Sequence, residues 1–335
     1  MREMIKRVGR QPTTYLALAL VVMLIVFGVT IDDFTSVRNL SGIAAASAAL
    51  GVMAVGATLA LGAGAVDFSI AGTASLVGAV TAVAARSVGP VASIAIGLGV
   101  ALAIGLFNAL LTVRLEVNAF IATLAMAGSL RGLAFVVTGS VGVFIADGPL
   151  TTIGQQRVGD VPLSAITFAL LGIAGHMMLQ RTTVGRSMLV VGESAPAARL
   201  AGIRVARLQT LGYLISAVGA GLAGLILLGR AGVAVPQAAA DTELLVFSAV
   251  LLGGTSLNGG RASVAGSVLS ILLLNTLYTG LLLLSISPYL QTIIQGVVLL
   301  VAVRLALPPE GLPADLRAAR WHRSPKTTAS QEALS

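Results

Sequence analysis

Apolar residues run along this chain in long blocks, separated by short polar connectors. The blocks fall at about 14–31, 40–61, 68–86, 90–113, 118–138, 162–180, 208–230, 244–256, 262–284 and 288–306. Most approach the roughly 20 residues that a helix needs to cross about 30 Å of hydrocarbon at about 1.5 Å per residue. The pattern predicts an all-α, polytopic transmembrane bundle of about ten spans, some of them short or broken. Two places weaken the count. The gap at 61–67 is very short, and the run at 244–256 is short for a span. Eight or nine spans with re-entrant segments fit the same pattern.

Composition agrees with lipid as the solvent. The 335 residues are 56% hydrophobic and 10% charged, where a soluble domain carries about 25% charged residues. The net charge of +8 does not point to nucleic acid. The basic residues form no single stripe with interleaved aromatics; they sit in the connectors, where membrane proteins place them. No cysteine is present, which excludes disulfides and thiolate metal sites.

The positive charges also predict orientation. With the N-terminus inside, Arg2, Lys6, Arg7, Arg10, Arg114, Arg181, Arg186, Arg199, Arg204, Arg207, Arg261, Arg304, Arg317, Arg320, Arg323 and Lys326 fall on inner connectors. Only Arg38, Arg86, Arg157 and Arg230 fall outside, and Arg131 lies within a span. That asymmetry predicts both termini in the cytoplasm. The basic start, "MREMIKRVGR", precedes an apolar run (Tyr15–Ile31) longer than a signal-peptide core and without an A-x-A site, so it reads as an uncleaved first span. The expected divisions are a basic N-terminus at 1–13, a transmembrane domain at 14–306, and a basic, disordered tail at 307–335. The connector at 139–161 reads as a surface loop.

Glycine is abundant, and most of it suits close helix packing. Two segments differ: "LGAGAVDFSIAG" (Leu61–Gly72) and "LLGGTSLNGGRASVAG" (Leu251–Gly266) mix glycine with Asp, Ser, Thr and Asn. Backbone freed from a helix at membrane depth must be buried in protein or line a cavity, and transporters bind and gate at such breaks.

Catalytic chemistry is scarce. The only lysines, Lys6 and Lys326, stand in no Walker A pattern, and no H-E-x-x-H is present. His176 reads as a packed or interfacial histidine. Asp67 and Arg131 lie near or inside apolar runs, where a charge costs about 2.5–3.5 kcal/mol. They line or brace a pathway, or else Asp67 caps the next helix at the surface and Arg131 makes structural hydrogen bonds.

The densest positive cluster lies at 181–207, around a short helix. Ser194 is a candidate N-cap, Pro196 fits the first turn, and Gly202 ends the helix. Ala197, Ala198 and Ala201 leave a smooth face, flanked by Arg199, Arg204 and Arg207 as donors for carboxylates. The pattern fits a docking knob; composition by itself also fits a plain positive-inside connector.

"VGRSMLVVGESAPAARLAGI" resembles the cytoplasmic loop of ribose-type permeases, the membrane subunits of binding-protein-dependent sugar ABC importers. "NAFIATLAMAGSLRGLAFVVTGS" (Asn118–Ser140), "AVLLGGTSLNGGRASVAGSVL" (Ala249–Leu269) and "ISPYLQTIIQGVVLLVAV" (Ile286–Val303) resemble further regions of that family. The chain departs from it in reading "GAVDFSIA" at Gly64–Ala71, while keeping Asp67 and Ser69, and in carrying Glu193 and Ala201 where Asn and Ser are usual.

The resemblance implies a permease subunit of the cell membrane with no cofactor of its own. ATP is bound by separate cytoplasmic ATPase subunits, an extracytoplasmic binding protein delivers solute, and a second permease, identical or related, completes the pathway in the bilayer. It assigns coupling to Glu193, Ser194, Pro196, Ala197, Ala198, Arg199, Leu200, Ala201, Gly202 and Ile203. A pathway for a small neutral polar solute, such as a pentose or polyol, is expected to use Asp67, Ser69, Asn108, Thr123, Arg131, Thr255, Ser256, Asn258 and Asn275. The alternative is an ion-coupled secondary transporter, for which Asp67, Glu116 and His176 are the titratable candidates. An intramembrane enzyme lacks a catalytic constellation.

Overall fold

The computed structural model describes residues 12–287, 289–294, 296, 297 and 300. The basic N-terminus, the tail at 307–335 and part of the tenth apolar run lie outside the described residues.

Helices dominate, and their ends fall where capping chemistry puts them. The first, α1 (Pro12–Thr30), leads to α2 (Val37–Gly62), whose N-cap Ser36 accepts the Asn39 amide through Oγ at 3.3 Å. After a break come α3 (Ile70–Val88) and α4 (Pro90–Ala109), joined at Gly89 with φ +79°. α4 continues as a π turn, Leu110–Arg114. In α5 (Ala119–Thr138), Asn118 Oδ1 accepts the Ile121 amide at 3.2 Å.

The connector expected as plain loop contains structure. It holds β1 (Val143–Phe144), α6 (Pro149–Gln155), β2 (Arg157–Val158) and β3 (Val161–Pro162). β2 and β3 form a small antiparallel ribbon. α6 docks on the far end of α10 (Val205–Ala231), where Gly154 meets the backbone of Gly229 and Arg230 too closely for any side chain. Polar turn residues masked this short helix; the tertiary contact stabilises it.

The remaining elements are α7 (Leu163–Arg181), α8 (Thr183–Glu193), α9 (Ala195–Leu200), β4 (Val233–Ala234), α11 (Thr242–Leu252) and α12 (Val264–Leu283). β4 pairs antiparallel with β1. Among the described residues, eight helices are long and apolar enough to cross a membrane: α1, α2, α3, α4 with its π turn, α5, α7, α10 and α12. The run at 244–256 is not a ninth of this kind. α11 has 11 residues, about 16 Å of rise, which is half a bilayer core.

α2 is the central helix, packed against α7, α10, α11 and α12. It can be central because its sequence is rich in Ala and Gly, so neighbouring backbones approach closely. Gly56 of α2 lies against Gly219 of α10, and Gly224 of α10 lies against Ala74 of α3. α1, by contrast, is largely exposed along its length, as a lipid-facing helix must be. The far ends of α3 and α10 meet β1 and β4 in one apolar cluster. The opposite end of the bundle carries α8 and α9 and most of the described arginines.

Candidate functional site

Two structures meet at the arginine-rich end. The first is the α8–α9 loop. Thr182 caps α8 by accepting the Gly185 amide at 3.0 Å. Ser194 is extended and accepts the Ala197 amide through Oγ at 3.3 Å, and Pro196 sits in the first turn of α9. Gly202, at φ +76°, turns the chain out, and the Ile203 amide closes on Ala198 O at 2.9 Å. The helix expected here is present at six residues.

Its faces differ from the expectation in one respect. Ala198 is not part of an outward smooth face. It is fully buried against Val191 of α8 and Val205 of α10. The outward face is Pro196, Ala197, Arg199, Leu200 and Ala201, and Leu200 is 92% exposed. A six-residue helix must turn one side inward to be held at all, and alanine is the residue that lets α9 sit on two other helices.

α8 is bolted down at its end. Gly192 meets the carbonyl of Gly62, the last residue of α2, and the amide of Gly260 in the α11–α12 turn. Gly260 in turn lies against the backbone of Glu193. So the two glycine-rich segments noted in the sequence both reach the same point of the loop. Thr255, Ser256 and Asn258 belong to this turn. Thr255 Oγ1 accepts the Ser263 amide at 3.1 Å, Ser256 Oγ accepts the Asn258 amide at 3.3 Å, and Asn258 is exposed.

The second structure is the break between α2 and α3. Its freed backbone is satisfied inside the protein, as apolar surroundings require. The Phe68 amide donates to Thr123 Oγ1 at 3.0 Å, and Tyr213 Oη donates to Val66 O at 3.3 Å. Asp67 Oδ1 accepts from the Ser69 amide at 3.0 Å, from Ser69 Oγ at 2.6 Å and from Asn108 Nδ2 at 3.3 Å. Asn108 Nδ2 also donates to Ser69 Oγ at 2.8 Å. Four expected pathway residues, Asp67, Ser69, Asn108 and Thr123, therefore form one buried cluster from two helices, α4 and α5, and the break.

Asp67 is 2% exposed, so it is not a surface cap. The N-cap of α3 is Ser69, and Asp67 receives its amide. Asp67 Oδ2 and Asn108 Oδ1 have no hydrogen-bond partner among the described residues. Phe68, the residue after Asp67, stacks on Phe247 of α11 with centroids 4.2 Å apart and meets Phe120 edge-on.

Arg131 does not reach Asp67. Midway along α5, it lies 3.3 Å from Glu243 Oε1 and 3.8 Å from Asp241 Oδ1. Asp241 precedes α11 in the left-handed region, φ +61°, and Glu243 is in the first turn of α11, where a carboxylate also suits the helix dipole. Nearby, the Ala239 amide donates to Ser75 Oγ at 3.3 Å. These contacts tie the start of the half-length helix to α5 and α3. Neither carboxylate stood out in the sequence, because Asp241 and Glu243 sit at the edge of a polar stretch. Asn275 lies elsewhere, on α12, beside a small cavity with Tyr278 and Gln291; its Nδ2 donates to Ile271 O at 3.1 Å.

Residues 39–303 match the family described as branched-chain amino acid transport system / permease component. Among curated proteins, the chain is 33% identical to the L-arabinose transport system permease protein AraH of Escherichia coli, over 84% of this chain and 86% of that protein. It is 34% identical to the ribose import permease protein RbsC of Escherichia coli, over 85% and 91%. The Bacillus subtilis ribose import permease protein RbsC is 33% identical, over 86% and 90%. No solved structure matches.

Proposed function

Because the chain belongs to the family of branched-chain amino acid transport system permease components, we propose that it is the membrane-spanning permease subunit of a binding-protein-dependent ABC importer. It passes a small neutral polar solute of the pentose class across the cell membrane by alternating access. Separate cytoplasmic ATPase subunits bind ATP, an extracytoplasmic binding protein delivers the solute, and a second permease completes the pathway. In this reading the arginine-rich end and both termini face the cytoplasm.

The observation that carries it is α9. A short helix whose outward face sets Pro196, Ala197, Leu200 and Ala201 beside Arg199, with Leu200 92% exposed, presents an apolar patch with a charged rim, which suits insertion into a partner's cleft. Its inward Ala198 and the contact of Gly192 with Gly62 make it a stiff lever. A push on α9 passes through α8 to the end of α2 and into the break that holds Asp67, Ser69, Asn108 and Thr123. Movement there changes which side of the bundle the polar cluster serves.

One relative named for L-arabinose and two named for ribose support a pentose. The family description names amino acids instead. A zwitterion would need fixed opposite charges to meet it. The ion group placed for that, Arg131 with Glu243 and Asp241, is already engaged with itself. The test is uptake into proteoliposomes holding the permease, its ATPase and its binding protein, with L-arabinose, ribose and leucine compared. ATP-dependent pentose uptake is expected; leucine uptake overturns the solute class. Full-rate uptake with no ATP-hydrolysing partner overturns the importer and favours the ion-coupled alternative.

A further inference from the structure

A trough runs up the side of the bundle from the arginine-rich end. Its mouth is a cavity of about 860 Å³ between the π turn after α4 and the start of α10, walled by Leu106, Leu110, Leu211 and Leu214 with Arg114 and Arg207 at the rim. A smaller recess of about 430 Å³ adjoins it, lined by Arg199 and Arg204 as well as Arg207. Leu211 and Leu214 also line a second, nearly wholly apolar cavity of about 590 Å³, which continues along α10 between α2, α4 and α7 and is floored by Gly56 and Gly219. Leu106 and Leu110, on the wall, are about half exposed.

We propose that this trough binds an anionic phospholipid from the leaflet on the arginine-rich side. The phosphate sits among Arg114, Arg207, Arg199 and Arg204, and an acyl chain lies along α10 over Gly56 and Gly219. Three observations point to lipid. The four guanidinium groups carry no ion pair or hydrogen bond among the described residues, although Glu116 and Glu193 stand at the same end. Charged rim and apolar slot are continuous and run in the order of a lipid's head and tail. Basic pockets between spanning helices are where anionic headgroups bind.

A second copy of this chain is the main competing occupant, and charge argues against it. In a two-fold contact the same patch faces itself, which would set these arginines against arginines. The unwinding of α4 into a π turn (Leu110–Arg114) builds the mouth, and such turns often mark functional sites. Because Arg199 belongs to α9 and Arg207 to the start of α10, the headgroup would tie the loop to the helix it moves. The inference does not depend on the identity of the solute.

The test is native mass spectrometry of the full chain released from detergent supplemented with phosphatidylglycerol or phosphatidylcholine. Wild-type protein is expected to retain phosphatidylglycerol at least tenfold better. The double variant Arg114→Gln/Arg207→Gln should lose that preference, and Leu214→Trp should lower retention of both lipids by filling the slot. The control Arg181→Gln/Arg186→Gln removes the same charge from α7 and α8, outside the trough, and should leave the preference intact. Equal retention of the two lipids, or an equal loss in the control, overturns the site. As a readout that survives poor folding of a variant, a benzoylphenylalanine at position 110 of otherwise wild-type chain in native membranes should give a lipid adduct on irradiation. A protein adduct, with a second copy or an ATPase, overturns it.

Discussion

Gly192 lies with its Cα against the backbone carbonyl of Gly62, so close that no side-chain carbon fits between the arginine-rich loop and the end of α2. The same residue abuts the Gly260 amide. Three segments remote in sequence thus meet backbone to backbone, without side chains to cushion relative movement. Packed contacts of this kind transmit displacement rather than absorb it.

Gly192→Ala tests that joint. The atoms its methyl group would meet are backbone and cannot rotate aside. Overpacking of this sort costs about 1–3 kcal/mol, enough to change a rate that depends on the geometry by about tenfold. ATP-driven uptake is expected to fall by that factor, with ATPase still co-purifying. Unchanged uptake would show that α8 and α2 do not move as one.

Leu200 and Ala198 lie two residues apart and should behave in opposite ways. Leu200→Asp changes a side chain that touches almost nothing in this chain. It should leave the melting temperature of the detergent-solubilised permease unchanged and abolish ATPase co-purification. Ala198→Trp forces a large ring between α8, α9 and α10 and should lower the melting temperature first. The reverse pattern refutes α9 as the docking element.

Arg131 and Glu243 should be interdependent. Glu243→Gln leaves a guanidinium at mid-span with only the more distant Asp241, and Arg131→Gln leaves both carboxylates unpaired. A single uncompensated charge there costs about 2.5–3.5 kcal/mol, whereas removing the pair together avoids most of it. Thermal unfolding in detergent should show each single variant less stable than Arg131→Gln/Glu243→Gln, by about 1 kcal/mol or more of coupling. Additive losses would mean that the ion pair does not hold α11.

Asp67 is separable by isostere. Asp67→Asn keeps an Oδ1 acceptor for Ser69 and Asn108 and changes only the Oδ2 position, which has no hydrogen-bond partner among the described residues. Asp67→Ala strands the Ser69 hydroxyl and amide, at about 1–3 kcal/mol. Asp67→Asn is therefore expected to fold, and to transport with ATP at near wild-type rate, while Asp67→Ala loses stability. A well-folded Asp67→Asn that no longer transports would make the carboxylate a carrier of ionic charge and revive the ion-coupled alternative.

Much of the bundle was legible in the order of residues. The eight long spans, the capped helix at 194–202 and the breaks near 61–72 and 251–266 all left marks that physics makes local. Lipid demands an apolar run of known length, a helix end needs a Ser and a Gly, and unwound backbone needs small and polar residues together. The same marks misled at 139–161, where α6 forms because Gly154 and Gly229 meet, whereas the run at 244–256, short for a span in the sequence, holds the half-length helix α11.

The chain order alone determined that this protein lives in lipid, that its charge gathers at one end, and that a small helix stands within that charge. Partnership was decided only by the tertiary structure. Asp67 and Arg131 looked alike as charges in apolar runs, yet one joins Ser69 and Asn108 and the other joins Glu243, 112 residues away. Ala198 looked like part of an exposed face and is buried. The physical reason is direction: periodicity states that a helix has faces, but which neighbour each face meets depends on how glycine-lined helices cross in three dimensions.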